Sequence, residues 1–450
     1  MRLDDVLGVR RGEVISFIGA GGKTSALFRL AEDLVARGLR VIGTTTTRVA
    51  ASEVEVAPRA LAVGNNLDFG QITREFQEHP FVFLYRRIQG EKALGLLPEA
   101  IHFLLDRVGS DVLLVEADGS RRLPFKAPYA HEPVLPRETT QVVLVAGLNV
   151  LGQPLDDAHV YNAEAMIERY GYPAGEPVIW PWVAAVMRDE LLGLRGVPED
   201  IPVTALLNRV PPEGITRRRA RLIASLLLRS SRIRAVAIGA MQAESPVYEV
   251  RRPVAAVVLA AGLSRRMGRS KALLPWGRET VLEAILRRLL AARLDHIVVV
   301  TGHNAEQVGQ IAVQAGAVAV FNPAYAAGEM LSSLQTGLRA LGDRFAACLV
   351  VLGDQPQMQT RTVLGILNAY AEGQGSIVAP SYQMRRGHPV LFDRCHWPAL
   401  LKLPLGSSPR EVINARAGDI AYVNVNNDSI LADIDTPEQY EAARRQAGLT

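Results

Sequence analysis

The sequence predicts an α/β protein of two domains, each built on a largely parallel sheet. Three observations carry that expectation. A chain of 450 residues exceeds what one hydrophobic core usually serves. Apolar, β-branched runs alternate with helical patterns along its whole length, the order that gives parallel sheets covered by helices. The runs are apolar throughout instead of alternating with polar residues, as strands are when both faces are covered.

In the first half the clearest strands fall at 14–18, 40–43, 112–116 and 141–146, and in the second at 254–260, 296–301 and 348–352. Helix starts are signalled by capping pairs. Thr280 with Glu283, Asn304 with Gln307, and Thr436 with Gln439 (where Pro437 takes the first helical position) each precede a helical pattern. The helix at 281–290 is apolar at 281, 282, 285, 286, 289 and 290, a face that packs on a sheet. The polar, proline-containing stretch at 244–253 precedes a new strand–loop–helix unit. It divides the chain into domains at 1–245 and 253–450.

A net charge of +4 is small over this length and does not suggest a surface that coats nucleic acid. Hydrophobic residues at 48% and charged ones at 21% describe an ordinary globular chain, and no apolar run is long enough to span a bilayer. The two cysteines, Cys348 and Cys395, form no CxxC pair, which argues against a cysteine zinc site and suits a reducing compartment. The first residues have no signal-peptide pattern, so the expected location is the cytoplasm.

The strongest chemical signal is the segment AVVLAAGLSRRMGRSK at 256–271. A buried strand runs into the small residues Ala260, Ala261 and Gly262, then into a basic cluster. Small residues let backbone N–H groups approach a phosphate chain, with Ser264 beside them and Arg266 and Lys271 to neutralise it. A glycine turn with solvated basic residues is the alternative. A second strand, CLVVLGD at 348–354, ends in Asp354. Ligands of open α/β sheets sit beyond the carboxyl ends of strands, so Asp354 opens toward the same edge and suits Mg²⁺. Asp433 and Asp435 offer a second carboxylate, or simple helix capping.

In order along the chain stand LAAGLSRRMGRSK, VVTGHNAEQV, FNPAYAAGEMLSSLQTGL, VLGDQP, RRGHPVLF and DIDTPEQY. Together they resemble the molybdenum cofactor cytidylyltransferases, MocA-like members of the nucleotidyltransferase superfamily that also contains the guanylyltransferase MobA. The resemblance covers 253–450 and implies a Rossmann-like domain. It implies that Gly262, Ser264 and Arg266 hold the triphosphate of CTP, that Lys271 assists, and that Asp354 and Asp435 ligate Mg²⁺. Asn322, Gly328 and Ser332 or Ser333 would shape the nucleotide and acceptor side. His388 would have a structural or acceptor-contacting role, since a phosphate acceptor needs no base. The acceptor implied is the molybdopterin cofactor. One departure is LGSSPR at 405–410. Family members often carry GD-x-GAR there, so an acidic position is lost and a proline gained in a loop expected to face the acceptor. The family's cytidylyltransferases share the LAAG of 259–262, where guanylyltransferases have glycine for Ala261. The methyl of Ala261 is therefore expected where the base enters, favouring CTP.

In the first half, the strand at 14–18 is followed by GAGGKTS at 19–25 and a helix closed by Gly38. A glycine loop (Gly19, Gly21, Gly22) feeding a helix N-terminus is an anion site, with Lys23 reaching phosphates and Thr24 available to Mg²⁺. It is not a full Walker A loop, because Phe17 stands where the first glycine would be. Glu116 and Asp118 end the strand VLLVE in the manner of an acidic Walker B site. Thr44–47 and Arg48 are expected at the same edge. Asn208-Arg209 only loosely matches the base-reading element of GTPases. The motifs IGAGGKTS, TTTTRV, VEADGSRRLPFKAP, HEPVLP and LLNRV resemble the selenium-dependent hydroxylase accessory protein family, YqeC.

The two resemblances imply a fused maturation factor for molybdenum hydroxylases. Its ligands would be small molecules, with ATP or GTP at the N-terminal domain and an apo molybdenum hydroxylase as protein partner. Two alternatives stay open: a nucleotidyltransferase of the same fold with another acceptor, such as a sugar phosphate, and an N-terminal half that is a non-catalytic carrier.

Overall fold

The computed structural model describes residues 1–327 and 329–449. They divide into two compact units, Met1–Arg251 and Arg252–Thr450, each with its own sheet.

The first unit holds a nine-stranded sheet. Its strands are β1 (Glu13–Gly19), β2 (Val41–Thr45), β3 (Ala60–Ala62), β4 (Phe81–Tyr85), β5 (Val112–Glu116), β6 (Gln141–Gly147), β7 (Val203–Asn208), β8 (Ile233–Gly239) and β9 (Val247–Arg251). They lie in the order β9-β8-β7-β6-β1-β5-β2-β4-β3. All neighbours are parallel except β8 and β9. Strands β2, β5 and β6 are buried at every position, because helices cover both faces. Central β1 pairs with β5 on one side and β6 on the other. That makes its carboxyl end the point where the connections change side, the usual place for a ligand crevice. Residues 247–251, which the sequence placed in the connecting stretch, instead complete this sheet as its one antiparallel strand.

The second unit has an eight-stranded sheet. Its strands are β10 (Val254–Ala260), β11 (Ile297–Thr301), β12 (Val318–Phe321), β13 (Ala347–Leu352), β14 (Ile377–Tyr382), β15 (Arg385–Arg386), β16 (Val390–Asp393) and β17 (Ile420–Asn424). The order is β12-β11-β10-β13-β16-β14-β15, with β17 also paired to β14. The half around β10 is parallel, whereas β16 runs antiparallel to both β13 and β14. The sheet is therefore mixed.

Helix Val281–Ala291 opens on the expected capping box. Thr280 Oγ1 accepts from the Glu283 amide, and the Glu283 carboxylate accepts from the Thr280 amide. Helix Pro437–Gln446 does the same with Thr436 and Gln439. Two expectations fail. Asn304 takes a left-handed conformation (φ 58°) and makes no side-chain cap. Leu290 is exposed, because the apolar face that packs on the sheet is narrower than the sequence pattern.

Candidate functional site

In the second unit several residues expected from the sequence meet at the carboxyl ends of β10 and β13, which lie side by side in parallel register. Gly353 is required there, since a Cβ at that position would lie 2.6 Å from the Leu259 carbonyl of the neighbouring strand. A cleft of about 670 Å³ opens at this edge. Ala260, Ala261, Gly262, Ser264, Arg266 and Lys271 line one wall, and Asp354, Asp433 and Asp435 the other. The basic loop folds on itself, with Ser264 Oγ accepting from the Lys271 amide at 3.1 Å.

Lys271 is the hub. Its Nζ donates to Asp354 Oδ2 at 2.9 Å and to Asp435 Oδ1 at 2.6 Å. Arg266 reaches the other oxygen of Asp435 at 3.2 Å. Burial raises the Asp354 carboxyl above its ordinary value against the opposing pull of Lys271. The more exposed Asp435 is held below the usual range by its hydrogen bond to Lys271. For Lys271, burial pulls down but the charge of Asp354 and the bonds to both carboxylates prevail, so its pKa is raised. Asp433 instead accepts from Gln355 Nε2 at 2.7 Å.

Among the described residues no group of three or more His, Cys, Asp or Glu is placed to hold a metal. Two carboxylates converging on one cationic point do suit Mg²⁺, which keeps several waters and takes its other ligands from substrate phosphates. Asp354 and Asp435 would hold it, and it would neutralise phosphate charge.

Several expected residues play other parts. Asn322 is buried (1% exposed) and does not line the cleft. Its amide donates to Ser332 Oγ at 2.9 Å and Ser333 Oγ at 3.1 Å, fixing the loop to the following helix. Of those two serines Ser333 lines the cleft and Ser332 does not. Gly328 lies outside the described residues. His388 lines a separate, smaller pocket, where burial lowers its pKa to about 4 and keeps it neutral. Ala261 lines the cleft but is only 4% exposed and belongs to the apolar core with Val257, Val300 and Leu334. Its methyl therefore serves packing before it can meet a base. Tyr325 and Met330 also line the cleft. Both fall within the FNPAYAAGEM motif, which carried no chemical signal for them.

In the first unit the glycine loop follows β1. Gly19 (φ 94°) and Gly21 (φ 87°) are in conformations open to glycine, and a Cβ would collide with the Val145 carbonyl or the Gly147 amide. Lys23 begins helix Lys23–Ala36 and folds back under the loop. Its Nζ donates to Gly19 O at 2.8 Å and lies 3.2 Å from Asp118 and 3.5 Å from Glu116. Thr24 Oγ1 donates to Glu116 Oε2 at 2.8 Å, and the Gly19 amide donates to Asp118 Oδ2 at 2.9 Å. Burial raises the Glu116 carboxyl. Burial would lower Lys23, but the charges of Asp118 and Glu116 outweigh it and its pKa is raised.

Two further residues, neither assigned a role from the sequence, complete this cluster. Lys126 Nζ bridges Asp118 at 3.0 Å and Glu132 at 2.9 Å, and both Lys126 and Glu132 are buried. Lys126 lies in a strand of only two residues, too short for a periodic signature, so only tertiary structure reveals it. Other expectations are corrected. The hydroxyls of Thr44, Thr45 and Thr46 donate to the carbonyls of Leu84, Glu116 and Val134, so they serve the backbone. Arg48 is exposed and lines a different cleft with Ser52, Lys92 and Arg122. Asn208 reads no base. It donates to Gly21 O at 2.8 Å and accepts from the Met241 amide, bracing the glycine loop.

No helix among the described residues is long and apolar enough to cross a membrane. The YqeC protein family matches residues 15–164, and the MobA-like NTP transferase domain matches residues 256–420. The YqeC protein of Escherichia coli is 33% identical over 205 residues, 46% of this chain and 79% of that relative. The molybdenum cofactor cytidylyltransferase of Escherichia coli is 28% identical over 191 residues, 42% of this chain and 95% of the relative. Nicotine blue oxidoreductase of Paenarthrobacter nicotinovorans is 32% identical over 193 residues, covering 41% and 94%. The chain thus joins a member of the YqeC family, in its N-terminal unit, to a MobA-like NTP transferase domain of the nucleotidyltransferase superfamily, in its C-terminal unit.

Proposed function

We propose that the C-terminal unit is a Mg²⁺-dependent cytidylyltransferase that acts on the phosphate of the molybdopterin cofactor. The observation that carries this reading is the convergence of Lys271, Asp354 and Asp435 beneath the small-residue loop 260–266. An acceptor phosphate oxygen attacks the α-phosphorus of CTP. The bond to the β-phosphate breaks, and pyrophosphate leaves. The chain's own contribution is positioning and charge. The amides of 260–264 cradle the triphosphate, while Arg266 and Lys271 offset charge developing on the phosphoryl oxygens. The relative named as a molybdenum cofactor cytidylyltransferase supports the choice of acceptor and nucleotide. The test is incubation of the full chain with CTP or GTP, Mg²⁺ and molybdopterin cofactor, then identification of the nucleotide attached. A guanylylated product, or none, overturns the reading.

For the N-terminal unit we propose nucleotide binding, ATP or GTP, at the loop 19–24, coupled to maturation of an apo molybdenum hydroxylase. A second reading is favoured by one observation. Lys23 and Thr24, the groups that would grip phosphate and metal, are both engaged by Glu116 and Asp118. That closed arrangement suits a non-catalytic carrier. Calorimetric titration with ATP and GTP separates the two, since a carrier binds neither.

A further inference from the structure

Apart from the transfer cleft and the glycine loop, a cleft of about 530 Å³ opens in the N-terminal unit. Part of its wall is a ribbon of two short antiparallel strands, Arg48–Ala50 and Lys92–Leu94, in which Ala50 faces Lys92 and Arg48 faces Leu94. Successive side chains of a strand point to opposite faces. Val49 and Ala93 are buried in the apolar core, so Arg48 and Lys92, diagonal neighbours on the other face, project away from it.

The opposite part of the wall is the turn at 120–122, which follows Asp118 of the Lys23 cluster. Arg121 (φ 47°) and Arg122 (φ 63°) are both left-handed, a conformation that residues with a Cβ seldom adopt, and then singly. An extended chain would send the two guanidiniums opposite ways, yet here both residues line the cleft. The turn is tied down from the other side. The Gly119 amide donates to Glu132 Oε1 at 3.3 Å, the Gly119 carbonyl accepts from Lys126 Nζ at 2.6 Å, and Ser120 Oγ accepts from Lys23 Nζ at 3.3 Å. Strain that its surroundings hold in place clusters at ligand clamps.

Arg48, Lys92, Arg121 and Arg122 line the cleft together with Glu53, Glu55 and Glu91. Arg122 is engaged internally, by the Ser52 hydroxyl and by Glu53 at 3.5 Å. Arg121 lies over the Tyr161 ring at 5.5 Å, a contact that orients the guanidinium without neutralising it. Among the described residues, the side chains of Arg48, Lys92, Glu55 and Glu91 make no hydrogen bond or ion pair. Three cations and two carboxylates thus share one cleft without ion-pair partners.

We infer that this cleft is a second ligand site of the N-terminal unit, for a phosphate monoester whose body bears hydroxyl groups. Arg48, Lys92 and Arg121 take the phosphate, which is largely dianionic at neutral pH and suits the guanidinium fork. Glu55 and Glu91, which can only accept, take hydrogen bonds from the hydroxyls. None of residues 19–24 lines the cleft, so the inference goes beyond the nucleotide reading of that loop and stands apart from it.

Calorimetric titration of the full chain with glucose 6-phosphate, glucose 6-sulfate and inorganic phosphate tests it. Wild type should bind glucose 6-phosphate about tenfold tighter than the sulfate, which carries one charge fewer, and tighter than inorganic phosphate, which lacks the body. Arg48→Ala, Lys92→Ala and Arg121→Ala should each weaken glucose 6-phosphate about five- to tenfold. All three residues are exposed, so an unchanged Tm should accompany the loss. Glu91→Ala should weaken glucose 6-phosphate and spare inorganic phosphate, whereas plain charge attraction would make it tighten both. No binding to wild type, equal binding of phosphate and sulfate esters, or binding untouched by the three substitutions overturns the inference. In the last case, competition by ATP or CTP shows whether the probe sits at the glycine loop or in the transfer cleft. Titration of wild type with ATP tests the nucleotide reading separately. Absent ATP binding beside retained glucose 6-phosphate binding sinks that reading and leaves this one standing.

Discussion

Lys271 and Asp354 form a 2.9 Å ion pair at the floor of the transfer cleft, although 83 residues separate them in the chain. The pair joins the turn after the basic loop to the end of the strand next to β10. Burial works against ionisation of Asp354, and Lys271 opposes that effect. Burial prevails and the Asp354 carboxyl stays raised, while the 2.9 Å contact sets a carboxyl and an ammonium side by side at the cleft.

Asp354→Ala is accordingly expected to abolish nucleotidyl transfer with the fold retained. Removing one carboxylate that would hold the metal should lower kcat by at least about a hundredfold. Steady-state kinetics across a Mg²⁺ series checks it. Near-normal turnover at low Mg²⁺ would remove Asp354 from the site.

In the N-terminal unit, Lys23→Ala should eliminate nucleotide binding and also destabilise. It leaves two buried carboxylates, Glu116 and Asp118, without their ammonium, and breaking a buried pair costs roughly 3–5 kcal/mol. Lys126 still holds Asp118, so the loss should lie toward the lower end. Nucleotidyl transfer, in a separate compact unit, should stay within about twofold. Calorimetry with ATP and GTP beside a transfer assay reads both, and equal damage to the two activities would contradict independent sites.

What the sequence disclosed was the part written locally. Strand β10, the small-residue loop and the strand before Asp354 are continuous apolar runs ending in chemistry, and the capping boxes at Thr280 and Thr436 lie within four residues. Hidden were groups whose role depends on distant partners. Lys126, in the short strand Phe125–Lys126, and Glu132 join the Lys23 cluster only because the folded chain brings them back to Asp118. The threonines that end β2 looked like a ligand-facing row, but their hydroxyls donate to the Leu84 and Glu116 carbonyls of the neighbouring strands. Asn322 looked like a contact residue, and its amide turned inward to two serines. Polarity is legible in sequence, whereas direction is not.

Glu249, fully buried on the edge strand β9, accepts from Arg217, Arg221 and Arg251. Burial alone would raise its carboxyl. The hydrogen bond from Arg221, the charge of Arg251 and the bond from Arg217 outweigh that and hold it below its ordinary 4.5. A depressed carboxyl stabilises the fold above its unfolded pKa, and the contribution is lost as pH falls through the lower folded value. Glu249→Gln should therefore cost about 2–3 kcal/mol near pH 7, less than a fully enclosed pair because the arginines are partly solvated. The difference from wild type should shrink as pH drops below about 4. Denaturant melts of both proteins from pH 3 to pH 7 measure it, and a pH-independent difference would show that packing, not charge, is what Glu249 supplies.

The last prediction concerns base choice. The resemblance to the cytidylyltransferases implies a methyl at Ala261 that filters against purines, worth only about 1–3 kcal/mol for one methyl in a pocket. The structure puts that residue at 4% exposure within the core that contains Val257, Val300 and Leu334. A methyl packed there has little left to present to a base. Ala261→Gly should then act mainly on stability. Losing one buried methyl costs about 0.8 kcal/mol, and glycine adds roughly 0.5–1 kcal/mol through backbone freedom. The lowered Tm should come with kcat/KM for CTP and GTP falling together, leaving their ratio within about threefold of wild type. Both constants are measured with one acceptor in both proteins. A shift of tenfold or more toward GTP, at unchanged stability, would return the methyl to the base pocket and make Ala261 the selecting residue after all.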